Sequence, residues 1–370
     1  MFYVYGRGVN GTGHMNNVLY LVECAKWAPS ADNSQPFSFR VFGQGFDVFY
    51  DEKRVGKSTF SESDPATLLS LGALLENIRQ GAEFANVDIK IAAREKRVDR
   101  LGASALLSVY VREEVNIKSG IKPALFLRHT NRSNYDAISP VDEGLQGLTQ
   151  RFRNYARAHW LQLDQRSIMG KMQRRASEVR FQTRQVHEWL SHSLKFSADE
   201  IANGDGLDVA TLALPLGGAQ FLKFISPWPR MAFLNRFGAF RALAAIDAAP
   251  VFSAPRLVGI VSSIDEDAVV EAGELMEELW IALNQRGLAV HPYYAVPDQL
   301  NRLRAGTVPK GLCATVKKIK SGSEKLFGLS EGEQLQMLFR VGFPQSQPRR
   351  SRRLPSKVLI TKNDGVSQGS

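Results

Sequence analysis

Apolar and polar positions along this chain follow two rhythms, one suited to strands and one to helices. From Asn16 to Trp27 the apolar residues recur at helical spacing, and Pro29 stops the helix. Runs rich in aromatic and β-branched residues at Phe37–Phe42 and Phe46–Tyr50 predict two strands. Ser63-Asp64-Pro65 offers a cap followed by proline at the first helical position. It predicts a helix over Ala66–Phe84 with one strongly apolar face. Strands are expected again at Val87–Ala92 and Ala105–Val111. Beyond Leu127 the pattern predicts a helix Val141–Ala158, a strand His159–Leu163 and a long charged helix from Ser167 to about Leu194. Residues 200–255 read as loop-rich, with Pro215, Pro227, Pro229 and Pro250 among many aromatics. A strand Arg256–Val261, a helix Asp265–Arg286 and a strand Leu338–Gly342 follow. Strands alternating with long helices predict an α/β or α+β sandwich.

One stretch of this pattern occurs twice. Gly72-Ala73-Leu74-Leu75-Glu76-Asn77 aligns with Gly273-Glu274-Leu275-Met276-Glu277-Glu278, and each lies in a long helix beside β-branched strands. Two amphipathic helices can match in this way by chance, or the chain can be a duplicated domain folded as an internal pseudo-dimer. A chain of 370 residues is long enough for either two domains or one duplicated domain.

Composition narrows the functional classes. Two cysteines, Cys24 and Cys313, cannot build a disulfide framework or a four-ligand zinc site, which suits a reducing compartment. No apolar run approaches the length of a spanning helix, and the apolar region Leu212–Val251 is broken by Lys223, Arg230, Arg236 and Arg241. No basic segment followed by an apolar run opens the chain, so no secretory signal is expected and a cytoplasmic location is. The excess of 47 Lys+Arg over 37 Asp+Glu gives a net charge of +10. That excess suits a solvated basic face, a nucleic-acid surface, or arginines converging on a small anionic ligand. The charge is scattered except at Lys317-Lys318-Ile319-Lys320 and Arg349-Arg350-Ser351-Arg352-Arg353.

The motifs differ in weight. Gly6-Arg7-Gly8-Val9-Asn10-Gly11, after a short expected strand Phe2–Tyr5, has the letters of a dinucleotide fingerprint. The following helix, however, runs into Pro29 rather than a strand ending in an acidic residue, so the segment reads as a leader. The six histidines show no metal-ligand spacing, and no metal is expected. Cys24 sits in an apolar helix and reads as core. Ala28-Pro29-Ser30-Ala31-Asp32-Asn33-Ser34-Gln35-Pro36 places hydroxyl and carboxamide groups between two prolines. That density exceeds what a turn needs and suits recognition of a heteroaromatic ring edge. Arg128-His129-Thr130-Asn131-Arg132 puts two arginines four apart with a hydroxyl between them, which can grip a phosphate or form a basic linker. Arg350-Ser351-Arg352 follows the last strand and offers a further fork of donors or a solvated tail.

At these three places the chain resembles the nitroreductase family of FMN-dependent oxidoreductases. Pro29-Ser30-x-x-Asn33-x-Gln35-Pro36 is similar to that family's Pro-Ser signature, and Arg128-x-Thr130-x-Arg132 to its phosphate motif. Gly342-Phe343-Pro344 followed by Arg350-Ser351-Arg352 is similar to its closing motif, with Arg for Lys. The order departs from the family, in which the arginine motif precedes the Pro-Ser motif within one subunit. Family members are homodimers that share each flavin across the interface. A fused pair of halves, each keeping one contribution, accounts for the order and resembles the two-half, Acg-like subgroup with an intervening lid.

The resemblance implies an α+β nitroreductase-like sandwich, duplicated as an intramolecular pseudo-dimer with a lid insertion. The expected halves are 16–125 and 126–355, with the lid-like insertion at about 195–252. One FMN is expected, its phosphate and ribityl chain on Arg128, Thr130, Arg132, Arg350 and Arg352, and its ring against Pro29, Ser30, Asn33 and Gln35. Where the family has Pro-x-Glu-Gly near the flavin N5, this chain has Pro292-Tyr293-Tyr294-Ala295, whose rings narrow the pocket. The expected activity is hydride transfer between NAD(P)H and an oxidised small organic substrate, with no dedicated catalytic side chain. The alternatives are a flavin-storing protein with little turnover and an FMN-dependent oxidase or dehydrogenase of a specialised biosynthetic pathway. No nucleic-acid or membrane partner is expected, and the chain is expected as a monomeric pseudo-dimer or a homodimer.

Overall fold

A computed structural model describes residues 12–55, 60–93, 104–112, 123–138, 144–145, 147–149, 151 and 153–362. The expected leader motif at 6–11, the strand Phe2–Tyr5 and much of the helix expected from Val141 lie outside the described residues.

The first sheet begins as a hairpin. β1 (Phe37–Phe42) and β2 (Gly45–Tyr50) pair antiparallel from Phe37↔Tyr50 to Phe42↔Gly45, closing over Gly43-Gln44. Helix Pro65–Ala85 follows, started by Asp64, whose carboxylate accepts from Ala66 N at 2.8 Å, with Pro65 where its missing N–H costs nothing. β3 (Ile89–Ala93) and β4 (Leu107–Val111) complete the unit, and β4 inserts between β2 and β3. The second sheet has the same plan. β5 (Ala156–Trp160), β8 (Arg256–Ser263), helix Glu266–Gln285, β9 (Ala289–Tyr293) and β10 (Glu333–Gly342) follow one another, and β10 inserts between β8 and β9. In both sheets the spatial order is first, second, fourth, third, with every one of these neighbours antiparallel.

What differs is the link between the first two strands of each unit. The first unit uses a tight turn; the second uses residues 161–255. The lid-like stretch expected at about 195–252 sits inside this connection. The connection contains helices Arg166–Arg180, Arg184–Ser193, Gly218–Ile225, Trp228–Asn235 and Ala239–Phe252, and a small parallel pair, β6 (Leu194–Lys195) and β7 (Leu207–Asp208). The chain finally returns to the first unit, where β11 (Ile360–Lys362) pairs parallel with β1.

The central helices Pro65–Ala85 and Glu266–Gln285 cross at Gly72 and Gly273. A Cβ on Gly72 would stand 1.9 Å from the Val270 carbonyl oxygen, and one on Gly273 would stand 2.2 Å from that of Leu69. Each glycine therefore rests on the residue three before the other glycine. Such reciprocity is the signature of an isologous contact about a local two-fold, and it places the repeated sequence of both helices at the axis. One core cluster draws on both units, with Phe39, Phe46, Leu74 and Ile78 from the first and Val258, Leu279, Trp280 and Phe339 from the second.

Several local expectations are corrected. Residues 156–158, expected at the end of a helix, begin β5, because pairing with β8 decides their conformation. The long helix expected from Ser167 breaks at Thr183, whose hydroxyl donates to the Val179 carbonyl at 2.9 Å while its backbone turns extended. The region 200–255 is largely helical rather than loop-rich. Pro227 and Pro229 sit at the start of Trp228–Asn235, where proline is tolerated.

Candidate functional site

Helix Thr12–Lys26 ends at the Pro-Ser segment, which holds three of the five non-glycine residues with positive φ among the described residues. Asp32, Asn33 and Gln35 have φ of 48°, 59° and 51°, three non-glycine residues in left-handed space within four positions. Each such residue costs on the order of 1–3 kcal/mol and persists only where its surroundings over-determine it. Those surroundings are hydrogen bonds. Ser30 Oγ accepts from Gln35 N at 2.9 Å. Asn33 Nδ2 donates to the carbonyls of Gly206 (3.0 Å) and Arg352 (3.1 Å), and its Oδ1 accepts from Arg353 at 2.6 Å. Gln35 Nε2 donates to Gly204 O at 2.9 Å, and its Oε1 accepts from Leu354 N at 2.9 Å. Asp32 accepts from Trp189 Nε1 at 2.9 Å. The carboxamides thus hold the 161–255 insertion and the C-terminal segment, both beyond the second unit's first strand.

The arginine motif enters the same locus from a short 3-10 turn, Ala124–Leu127. Arg128 is buried, with Nε 2.7 Å from the fully buried Glu277 carboxylate, Nη2 donating to Trp27 O at 2.7 Å, and its guanidinium 4.7 Å from the Trp280 ring. Arg350 donates to the carbonyls of Phe126 and Arg128 at 2.7 and 2.8 Å and lies 5.4 Å from the Trp27 ring. Arg353 lies 5.5 Å from the same ring. Burial, then the neighbouring Arg128, pulls Arg353 down to about 9. Burial pushes Glu277 up to about 7 against the opposing pull of Arg128. The side chain of Arg352 is exposed and only its carbonyl joins the cluster. Arg353, one position further on, is the residue sequence reasoning missed; the basic run marked the place but not which side chain turns inward.

Arg132 leads to a second cluster. Asn131 N donates to Val290 O at 2.9 Å, tying the motif to β9, an edge strand that carries Pro292 and Tyr293. Pro292 is tolerated there because edge strands leave N–H positions unused. Thr130, half-buried, lies between the two clusters in sequence. Arg132 makes one long hydrogen bond, 3.4 Å, to Thr211 O of the insertion. Burial lowers its affinity for the proton, while Asp32, Tyr293 and Tyr135 oppose that shift. The His291 ring lies 4.3 Å from Tyr293, and its pKa is driven well below 6.5 by burial, then by Arg132 and Arg340. Neutral His291 Nδ1, Tyr293 OH, Arg340 Nε and Arg353 Nε are buried with no hydrogen-bond partner. Orphaned buried polar atoms are rare in native proteins and call for a partner. Those of His291, Tyr293 and Arg340, beside Arg132, suit the edge of a planar ligand with acceptors and donors. A cleft of about 540 Å³ beside β5, lined by Arg151, Arg157, Trp160 and Leu279 among others, involves none of these motif residues. Among the described residues no group of three or more His, Cys, Asp or Glu could hold a metal.

No protein-family profile and no curated protein matches the sequence. Solved structures of low sequence identity align with about two thirds of the chain. One is a nitroreductase-like family protein from Bacillus cereus, 12% identical, covering 67% of this chain and 100% of that chain with a TM-score of 0.35. A second is iodotyrosine deiodinase bound to FMN and 3-iodo-L-tyrosine, 12% identical, covering 67% and 97% with a TM-score of 0.33. A third is the FMN- and NADPH-dependent nitroreductase NfnB from Sphigopyxis sp. strain HMH, 16% identical, covering 64% and 96% with a TM-score of 0.33. The chain is similar to nitroreductase-like proteins.

Proposed function

We propose that this chain is an FMN-dependent oxidoreductase of the nitroreductase type, exchanging hydride between NAD(P)H and an oxidised organic small molecule. The observation that carries the reading is convergence. Pro29–Gln35, Arg128 and Arg350–Arg353, separated by about 100 and 200 residues in sequence, meet at one locus between two units that share a strand order, and Arg132 leads from it to the adjoining cluster beside Asp32. The bound flavin supplies hydride chemistry at its N5. Arg132 and Arg350 provide charge for a phosphate-bearing ligand, and the unpartnered His291 and Tyr293 atoms provide hydrogen bonds to a ring edge. Neutral His291 can donate from one nitrogen and accept at the other. Trp27 walls the arginine side. The proposed halves are 16–125 and 126–355, with Asn33 and Gln35 acting across them. Both cysteines are free thiols, which fits a reducing, cytoplasmic setting.

A second reading is favoured by one observation. Gly204 and Gly206 are seated on Asn33 and Gln35, so the insertion covers the Pro-Ser turn, as expected of a flavin-storing protein with little turnover. One experiment separates the possibilities. The purified protein should absorb near 450 nm, the flavin band, at about that wavelength, or acquire that band when FMN is added. Arg132→Ala combined with Arg350→Ala should weaken FMN binding by at least about tenfold, the equivalent of one charge-assisted contact. Failure to bind FMN under any condition ends the reading. Bleaching by NADPH within seconds identifies the reductase, and a flavin that stays oxidised for minutes identifies storage.

A further inference from the structure

The insertion carries a surface that the flavin reading does not use. Its helices Gly218–Ile225, Trp228–Asn235 and Ala239–Phe252 are anchored inward by Ile225, Met231, Ala244, Ala248 and Val251, all buried. Outward, the helices and their flanking turns present Leu216, Phe221, Phe224, Phe233, Phe237 and Ile246 to solvent, with Phe237 77% and Leu216 fully exposed. Phe221 and Phe224 stand three apart on one helix face, and the rings of Phe233 and Phe237 lie 5.3 Å apart. Two exposed aromatic pairs on helices that follow one another in the chain exceed the singly scattered apolar groups of ordinary surface and mark an interaction site.

Charge identifies the partner. From Val209 to Ile246 the chain contains no Asp or Glu, yet it carries Lys223, Arg230, Arg236 and Arg241, all exposed. Among the described residues none of the four makes an ion pair, and Arg230 lies 5.2 Å over the Phe224 ring, so cation and aromatic share one face. The next acid, Asp247, turns inward and accepts from Gln173 and Ser177. A second copy of the chain is a poor occupant, because a two-fold contact would oppose this cationic patch to itself. An anionic bilayer surface complements it fully. Aromatic and aliphatic groups enter the acyl boundary while Lys and Arg meet the headgroups, the pattern of helices that lie in the membrane interface. Among the described residues no helix is long and apolar enough to cross a membrane, and this mode needs none. The expectation of no membrane partner rested on the lack of a spanning segment, which does not bear on a surface-lying one.

We propose that residues 213–246 form a docking surface for anionic lipid membranes. The full-length protein is mixed with vesicles of phosphatidylcholine alone or with about a third phosphatidylserine, and floated on a density gradient. The protein is expected to float with the anionic vesicles and to be released by about 0.5 M salt, since screening weakens exposed charge attraction. A basic residue at an anionic surface is worth about 1 kcal/mol, or about fivefold in partitioning. Arg230→Glu, Arg236→Glu and Arg241→Glu together should therefore lower partitioning at least about 100-fold, with an unchanged circular-dichroism spectrum. Phe221→Ser with Phe237→Ser should weaken binding at low salt as well, whereas a purely electrostatic encounter would leave it unchanged. Absence of flotation, equal binding to neutral vesicles, or a protein dimer abolished by the phenylalanine substitutions would overturn the proposal.

Discussion

Arg128 is the site residue whose removal is most readily misread. Its guanidinium neutralises Glu277, a carboxylate with no solvent exposure, at 2.7 Å, and also donates to Trp27 O. Deleting one partner of a buried pair costs about 3–5 kcal/mol, because the other is left charged and unsolvated. Glu277 has one escape, protonation. Against its ordinary value of 4.5, holding it protonated costs about 1.4 kcal/mol per pH unit, hence about 5 kcal/mol at pH 8 and about 1.4 kcal/mol at pH 5.5. Arg128→Ala should therefore lose about 3–5 kcal/mol at pH 8 and about half of that or less at pH 5.5. Glu277→Gln added to Arg128→Ala should recover most of the loss at pH 8. The native protein should show the milder form of this dependence. Glu277 is raised to about 7, so the folded state binds its proton more tightly, and stability falls as pH rises from about 4.5 to about 7. Urea unfolding read by tryptophan fluorescence at the two pH values measures these quantities. An Arg128→Ala protein within 1 kcal/mol of the parent at pH 8, roughly the cost of an ordinary surface change, would refute the reasoning. So would a loss independent of pH. Flavin loss in Arg128→Ala is thus no evidence for a phosphate contact, and Arg132 and Arg350 are the informative positions.

Two further perturbations probe the frame around the site. Gly273→Ala puts a methyl 2.2 Å from a backbone oxygen that cannot rotate away, so the helices must separate; a loss of at least about 2 kcal/mol in urea unfolding is expected, and a neutral result would mean the crossing is looser than described. Asn33→Ala strips partners from Gly206 O, Arg352 O and Arg353 at once, so limited proteolysis should cut near residues 203–207 faster than in the parent while the sheets stay intact. Unchanged cleavage would show that the insertion is held elsewhere.

Much of the fold was legible where local and global preferences agree. Phe37–Phe42 was delimited by its composition alone, and Asp64-Pro65 announced its helix through capping chemistry. The repeated Gly-containing stretch suited either a chance match or a duplication, and both of its copies lie at the helix crossing. Legibility failed where a distant partner decides. Residues 156–158 have acceptable helical composition, and only β8 makes them a strand. No Gly or Pro marks the break at Thr183; its own side chain supplies the stop. The prolines of 215–250 suggested loops, although two of them open a helix. At the candidate site, the sequence singled out the Pro-Ser turn and both arginine segments, but not the groups they bond. Asn33 and Gln35 hold peptide groups of the insertion, and register within the last basic run turns Arg353 inward and leaves Arg352 exposed.

The local two-fold also argues for a single site per chain. Glu76 and Glu277 occupy equivalent positions on the crossing helices, and both have no solvent exposure. Each needs an arginine from outside its own helix, yet the suppliers differ. Glu277 is met by Arg128 of the phosphate-like motif, beside the strained Pro-Ser turn and Arg353. Glu76 is met by Arg151, which also pairs with Glu83, and Arg153 pairs with Glu278. Those arginines pair with acids, although Arg153 keeps Nε and Nη2 without a hydrogen-bond partner, and the first-unit turn has no counterpart beside them among the described residues. The two related loci thus share a structural demand, a buried carboxylate to neutralise, while among the described residues only the Arg128 side adds the left-handed Pro-Ser turn with its bonded carboxamides. Titration of the protein with FMN should accordingly saturate at one equivalent per chain, and saturation at two equivalents would show that the Arg151 side retains a binding site of its own.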